Sequence, residues 1–171
     1  MKVKKYVKDM KCQDFTERFV DLARTMPACE RCGAYGKRWS CPPFDFDPMT
    51  IWQSYKYINI YGRQIWPEED ATDMKGIFYK EKEEMLLDME GDAEAYGESM
   101  ILVAGCCDVC EKCTRSKGQP CRKPELCRHS MESIGGDAEK TSKEIFGVSM
   151  LWSRDGRHPE YYMLITALLH N

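Results

Sequence analysis

Ser99–Arg128 reads SMILVAGCCDVCEKCTRSKGQPCRKPELCR. Its first seven residues are an apolar run of strand length, and they lead directly into six of the chain's ten cysteines. Cys107, Cys110 and Cys113 follow a C-x2-C-x2-C run, and Cys121 comes next, behind Gly118 and Pro120. Thiolates stepping every third residue wrap a compact loop around one object, the requirement of an iron–sulfur cube. Tetrahedral zinc usually takes C-x2-C pairs from two separate loops, so a third cysteine at the same step is surplus to it. The stretch therefore predicts a strand whose end carries a [4Fe–4S] cluster on Cys107, Cys110, Cys113 and Cys121, with structural zinc as the alternative. Six basic residues (Lys112, Arg115, Lys117, Arg122, Lys123, Arg128) against three acids (Asp108, Glu111, Glu125) suit an anionic thiolate-bound centre, although each cation alone could simply solvate a loop.

A second cysteine group precedes it. PACERCGAYGKRWSCPPFDFDP holds a C-x2-C pair, Cys29 and Cys32, then Cys41 before a double proline. Gly33 and Gly36 permit tight turns and the prolines fix the exit direction. Three cysteines are one short of a closed site. Cys12 is the first candidate for a fourth ligand, Cys106 and Cys127 are others, and an open metal position is the remaining case. A zinc knuckle or a plain structural turn would also account for this group.

With 171 residues, the chain reads as one domain, residues 1–171, able to bury its own core without cysteine cross-links. Hydrophobic content of 43% and charged content of 31% are those of a soluble globular protein. A net charge of −3 gives no ground for a nucleic-acid partner, and no apolar run approaches the ~20 residues of a membrane helix. The basic N-terminus MKVKKYVKDMK lacks the apolar centre of a secretory signal, so a cytoplasmic location is expected. There, clustered cysteines mean metal or redox chemistry. Eleven methionines beside ten cysteines suit an oxygen-poor interior, as in an anaerobe.

Around these loops the periodicity predicts an edge strand or arm over residues 1–11 and a helix from Asp14 to Met26, capped by Asp14 and stopped by Pro27. A short helix is expected within Phe44–Tyr55, and a strand over Lys56–Gln64. Glu68–Glu98 holds twelve acids against three lysines, with Met74, Phe78, Met85 and Met89 at helical spacing. It reads as an amphipathic helix whose acidic face, including Glu81, Glu83 and Glu84, is solvated rather than a docking surface. Ser99–Gly105 reads as the clearest buried strand. A helix from Asp137 should carry Ile145 and Phe146 to the core. Val148–Ser153 and Tyr161–Leu169 read as strands joined by the turn RDGRHPE. The fold class expected is α+β or three-layer α/β, a small central mixed sheet with flanking helices and cysteine-rich loops.

CERCGAYGKRWSCPP (residues 29–43) and AGCCDVCEKC with PCRKPELCRHSMESIG (within 104–135) together resemble the small predicted metal-binding proteins of bacteria and archaea, a cysteine-rich domain of unknown function. The resemblance spans most of the chain. It implies metal or iron–sulfur binding through Cys29, Cys32 and Cys41 and through Cys107, Cys110, Cys113 and Cys121. It leaves Cys106 and Cys127 outside its ligand set, and it carries no agreed reaction.

Three functions compete. The first is a redox protein passing electrons through one or two [4Fe–4S] clusters to a partner protein. The second is an enzyme whose open iron at Cys29, Cys32 and Cys41 binds a small-molecule substrate, with Tyr35, Lys37 and Arg38 beside it. The third is a zinc-stabilised interaction module. Cys106, Cys110 and Cys113 also spell C-x3-C-x2-C, the spacing of radical S-adenosylmethionine enzymes. Lys112 stands where those carry an aromatic residue, and 58 residues after Cys113 are too few for most of a barrel that in full takes ~250. His129, His158 and His170 have no nucleophile motif to serve. Ser130 and Glu132 are candidates to hydrogen-bond cluster sulfurs or to orient the loop.

Overall fold

A computed structural model describes residues 1–68, 71–155 and 157–171. Glu69 and Asp70 of the acidic run and Gly156 of the RDGRHPE turn lie outside the described residues. Four strands, β1 (Lys2–Lys11), β2 (Tyr57–Trp66), β3 (Ser99–Leu102) and β4 (Tyr162–His170), form one sheet in the order β1-β2-β4-β3. All three ladders are antiparallel, with Tyr6 opposite Gly62, Ile60 opposite Ala167 and Leu102 opposite Ala167. The protein is thus α+β, with helices on both faces of the sheet.

Period-2 alternation sorts the two cores. Ile58 and Ile60 of β2 and Met163, Ile165, Ala167 and Leu169 of β4 face one way. They pack on α1 (Cys12–Phe19), α3 (Met49–Gln53) and α5 (Ala138–Thr141) through Phe15, Phe19, Trp52 and Ala138. Tyr61 and Leu168 face the other way, onto Met85 and Met89 of α4 (Met74–Ala93). No helix among the described residues is long and apolar enough to cross a membrane.

Four expectations need correcting. The helix over Asp14–Met26 is two helices, α1 and α2 (Leu22–Glu30), and Pro27 lies inside the second. The chain breaks because Asp21 N donates to Gly135 O and Asp137 N to Phe19 O, both at 2.8 Å, so backbone is spent on the Gly135–Asp137 turn. Asp21 then caps α2 by accepting from Arg24 N at 3.1 Å. Gly135 has a φ of +97°, and a Cβ there would stand 2.9 Å from Leu22, so this crossing requires glycine. Residues 148–153 form no strand: Ser142 Oγ bonds Val148 O and Tyr161 Oη bonds Ser149 O, taking carbonyls that a ladder would use. The strand at Ser99–Leu102 is a half-buried edge, shorter than the Ser99–Gly105 expected.

The fourth correction concerns α4. Its stripe holds, with Met74, Met85 and Met89 buried, but Glu81 is buried too, at 3% exposure. Arg63 on β2, 2% exposed, donates to Glu81 at 2.6 Å, Glu84 at 2.9 Å and Asp88 at 2.8 Å. Only the outer acids, such as Glu83, are solvated. The helix also reaches the cysteine loop, through Lys82–Asp108 at 3.2 Å and Glu90–Arg128 at 2.8 Å.

Candidate metal centre

Nine of the ten cysteines gather beyond one end of the sheet in two sets. Cys29 ends the last turn of α2, and Cys32 N bonds back to Cys29 O at 3.0 Å, so the C-x2-C pair is one continuous turn. Gly36, with a φ of +66°, turns the chain back and donates its N–H to Pro42 O at 2.8 Å, which closes the loop that carries Cys41. Cys106 arrives from the other direction, past β3. Cys29, Cys32, Cys41 and Cys106 line one cavity of about 720 Å³.

The Cys106 thiol beside it, with burial, pushes the Cys41 thiol far up. The Cys41 thiol, with the charges of Arg38 and Lys82, brings Cys106 down to about 6 against the cost of burial. Cys29 is held up first by burial, then by Glu132 and Cys32, and its thiol donates to Glu132 O at 3.8 Å. Glu132 also lines the cavity, with its Oε2 buried and unbonded among the described residues. Burial raises the pKa of that carboxyl.

The second set is Cys107, Cys110, Cys113, Cys121 and Cys127, five thiols around a void of about 20 Å³. Cys127 is pushed up to about 12, chiefly by burial and then by Cys107 and Cys121 beside it. The loop is closed at its neck where Val103 bridges Ser130 and Val103 N donates to His129 O at 2.9 Å.

Two arginines and one serine lock the sets together. Arg38 donates to Cys107 O at 2.8 Å, and Cys107 N donates to Ser40 Oγ at 3.1 Å. Arg115 donates to Arg38 O at 2.9 Å and also to Cys41 O and Pro43 O. These two cations are structural crosslinks between loops, a role hidden in a count of basic residues. Tyr35 borders the 720 Å³ cavity, and Lys37 an outer groove. His129 is half-buried, its pKa lowered by burial, and its Nδ1–H donates to Ser40 O at 2.9 Å. Ser130 orients the loop, its Oγ accepting from Ser133 N at 3.2 Å.

Sequence reasoning placed Cys12 first as the missing ligand of the 29–41 group. The structure puts it elsewhere: Cys12 is fully buried among Phe15 and Trp52 and donates to Trp52 O at 3.2 Å. Cys106 instead lines the cavity beside Cys29, Cys32 and Cys41, and Cys127 borders the other set. Cys106 and Cys107 border different sets from adjacent positions, at a bend that follows Gly105 with its φ of +81°.

Among the described residues no three Cys, His, Asp or Glu side chains stand at the spacing of a single metal ion. All-thiol sets of four and five are the donor chemistry of iron–sulfur clusters and of structural zinc, so the residues fit either group. A family model described as "Predicted metal-binding protein (DUF2284)" matches residues 16–169. No curated protein and no solved structure matches the chain.

Proposed function

The chain belongs to this predicted metal-binding family, and from that premise we propose that it is a two-centre iron–sulfur protein that transfers electrons one at a time. One centre is a [4Fe–4S] cluster on Cys107, Cys110, Cys113 and Cys121, with Cys127 a fifth thiol against it. The other is on Cys29, Cys32, Cys41 and Cys106. The observation that carries this reading is the adjacency of Cys106 and Cys107, which border different cysteine sets across one peptide unit. Their Cα atoms are therefore about 3.8 Å apart. Such clusters supply reversible one-electron chemistry without proton transfer. The chain's own residues hold two thiol sets at fixed separation, through Arg38, Ser40 and Arg115, and bury Cys41 behind the Pro42–Pro43 exit. Four thiols at the first set favour a closed site over an open metal position.

Anaerobic purification with iron, zinc and acid-labile sulfide analysis tests this. About eight iron and eight sulfide per chain are expected for two such clusters, and reduction should give a spin-coupled paramagnetic signal. Stoichiometric zinc without sulfide would overturn it in favour of the zinc module.

One observation favours the enzyme reading as a second. The cavity at Cys29 is larger than four thiols need, and Glu132 Oε2 is buried in it without a hydrogen-bond partner among the described residues, while Asp137 Oδ2 is ion-paired with Arg24 Nε at 3.0 Å. A buried unpaired carboxyl oxygen suits a small hydrogen-bond-donating substrate. Glu132→Gln should then retain full iron yet lose a substrate-induced spectral change seen in the wild type.

A further inference from the structure

The two cysteine loops enclose a second, outward-facing groove of about 1220 Å³. Lys37 and Arg38 border it on one side, and Lys112, Lys117, Arg122 and Lys123 on the other, with Glu111 the one carboxylate. The groove thus carries +5 while the chain carries −3, leaving −8 on the remaining surface. Among the described residues none of these six cations forms an ion pair, whereas nearby Lys82 and Arg128 do. Five of the six are exposed. Cys110 and Cys113 lie in the same wall.

We propose that this groove is the docking surface for a small acidic one-electron carrier protein, an inference that rests on the two-centre reading above. Uncompensated like charge is costly for the protein alone and is relieved by an acidic partner, which it also steers. A partner seated there meets Cys110 and Cys113 without intervening structure. One electron passes between partner and protein; the donor is oxidised by one unit, the acceptor reduced by one, and no bond or proton changes. A nucleic acid fits less well. No Phe, Tyr or Trp lines the groove to stack a base, and a long polyanion leaving it would cross a surface of −8. A single small anion is smaller than the space.

The test uses the iron-loaded protein and a reduced acidic bacterial ferredoxin as probe, mixed by stopped flow. The second-order rate should fall about tenfold or more from low to high salt, as screening removes the steering. Lys37→Glu/Lys112→Glu/Lys117→Glu should lower the low-salt rate about tenfold or more, with iron and sulfide content unchanged. Lys8→Glu on exposed β1 should not. A basic c-type cytochrome should react slowly and gain from the triple change. A salt-independent wild-type rate, which needs no variant to fold, would overturn the proposal. So would a triple variant that reacts as the wild type, or a single-stranded oligonucleotide that displaces the ferredoxin. Failure of the two-centre reading is seen separately, as absence of iron and sulfide before any mixing.

Discussion

Truncating Glu81 to Ala should destabilise the protein by about 3 kcal/mol, since removing one partner of a buried ion pair typically costs about 3–5. Arg63 would be left 2% exposed, with Glu84 and Asp88 as its remaining acceptors. Those two carboxylates are each 45% exposed at the side chain and so hold the loss at the lower end. For a domain of this size that corresponds to a fall in Tm of roughly 6–12 °C. Urea unfolding followed by circular dichroism, on iron-loaded protein, measures it. Glu83→Ala, exposed on the same helix, serves as control and should change stability by less than about 0.5 kcal/mol. Arg63→Met/Glu81→Leu removes both buried charges and should recover most of the loss, because an apolar pair of similar volume needs no desolvation. Equal midpoints for Glu81→Ala and Glu83→Ala, or a double variant no better than the single, would refute the reasoning. Because α4 also holds Asp108 and Arg128 through Lys82 and Glu90, the unstable variant should lose iron faster on dilution.

Cys106→Ser should remove about half of the iron, one of two clusters, while Cys12→Ser should leave metal content intact and cost stability only; iron and sulfide assays on both variants separate the two. Arg115→Leu leaves the Arg38, Cys41 and Pro43 carbonyls without their charged donor. It should weaken the spin coupling between the centres and cost about 2 kcal/mol or more, since hydrogen bonds to charged groups contribute about 1.5–3 each. Paramagnetic resonance and urea midpoints read the two effects. Burial holds the His170 imidazole below its usual pKa, its Nδ1 unbonded and its ring stacked 3.6 Å from Tyr96. The unfolded chain then takes up the proton first as pH falls through about 6.5, so this contribution is full above that value and declines below it. Unfolding free energies at about pH 7.5 and about pH 5.5 should differ less in His170→Gln than in the wild type.

The sequence by itself determined what is written in spacing and period. C-x2-C-x2-C declares thiolate chemistry because neighbours in chain must be neighbours in space. Alternation in KYINIYGRQ and the methionine stripe of α4 declare a strand and a helix for the same reason, as Gly135–Gly136 declares a break before α5. Only the tertiary structure decided the rest. That Cys106 lines the cavity with Cys29, and Cys12 does not, depends on a sheet order that places the end of β3 beside the end of α2. Val148–Ser153 has the composition of a strand, but Ser142 and Tyr161 take its carbonyls. The burial of Glu81 depends on Arg63, eighteen residues away on another element. Charge in sequence shows no sign of being paired, since pairing is a contact between distant parts of the chain. Local spacing fixes ligands that share a loop; convergence of separate loops is settled by packing alone.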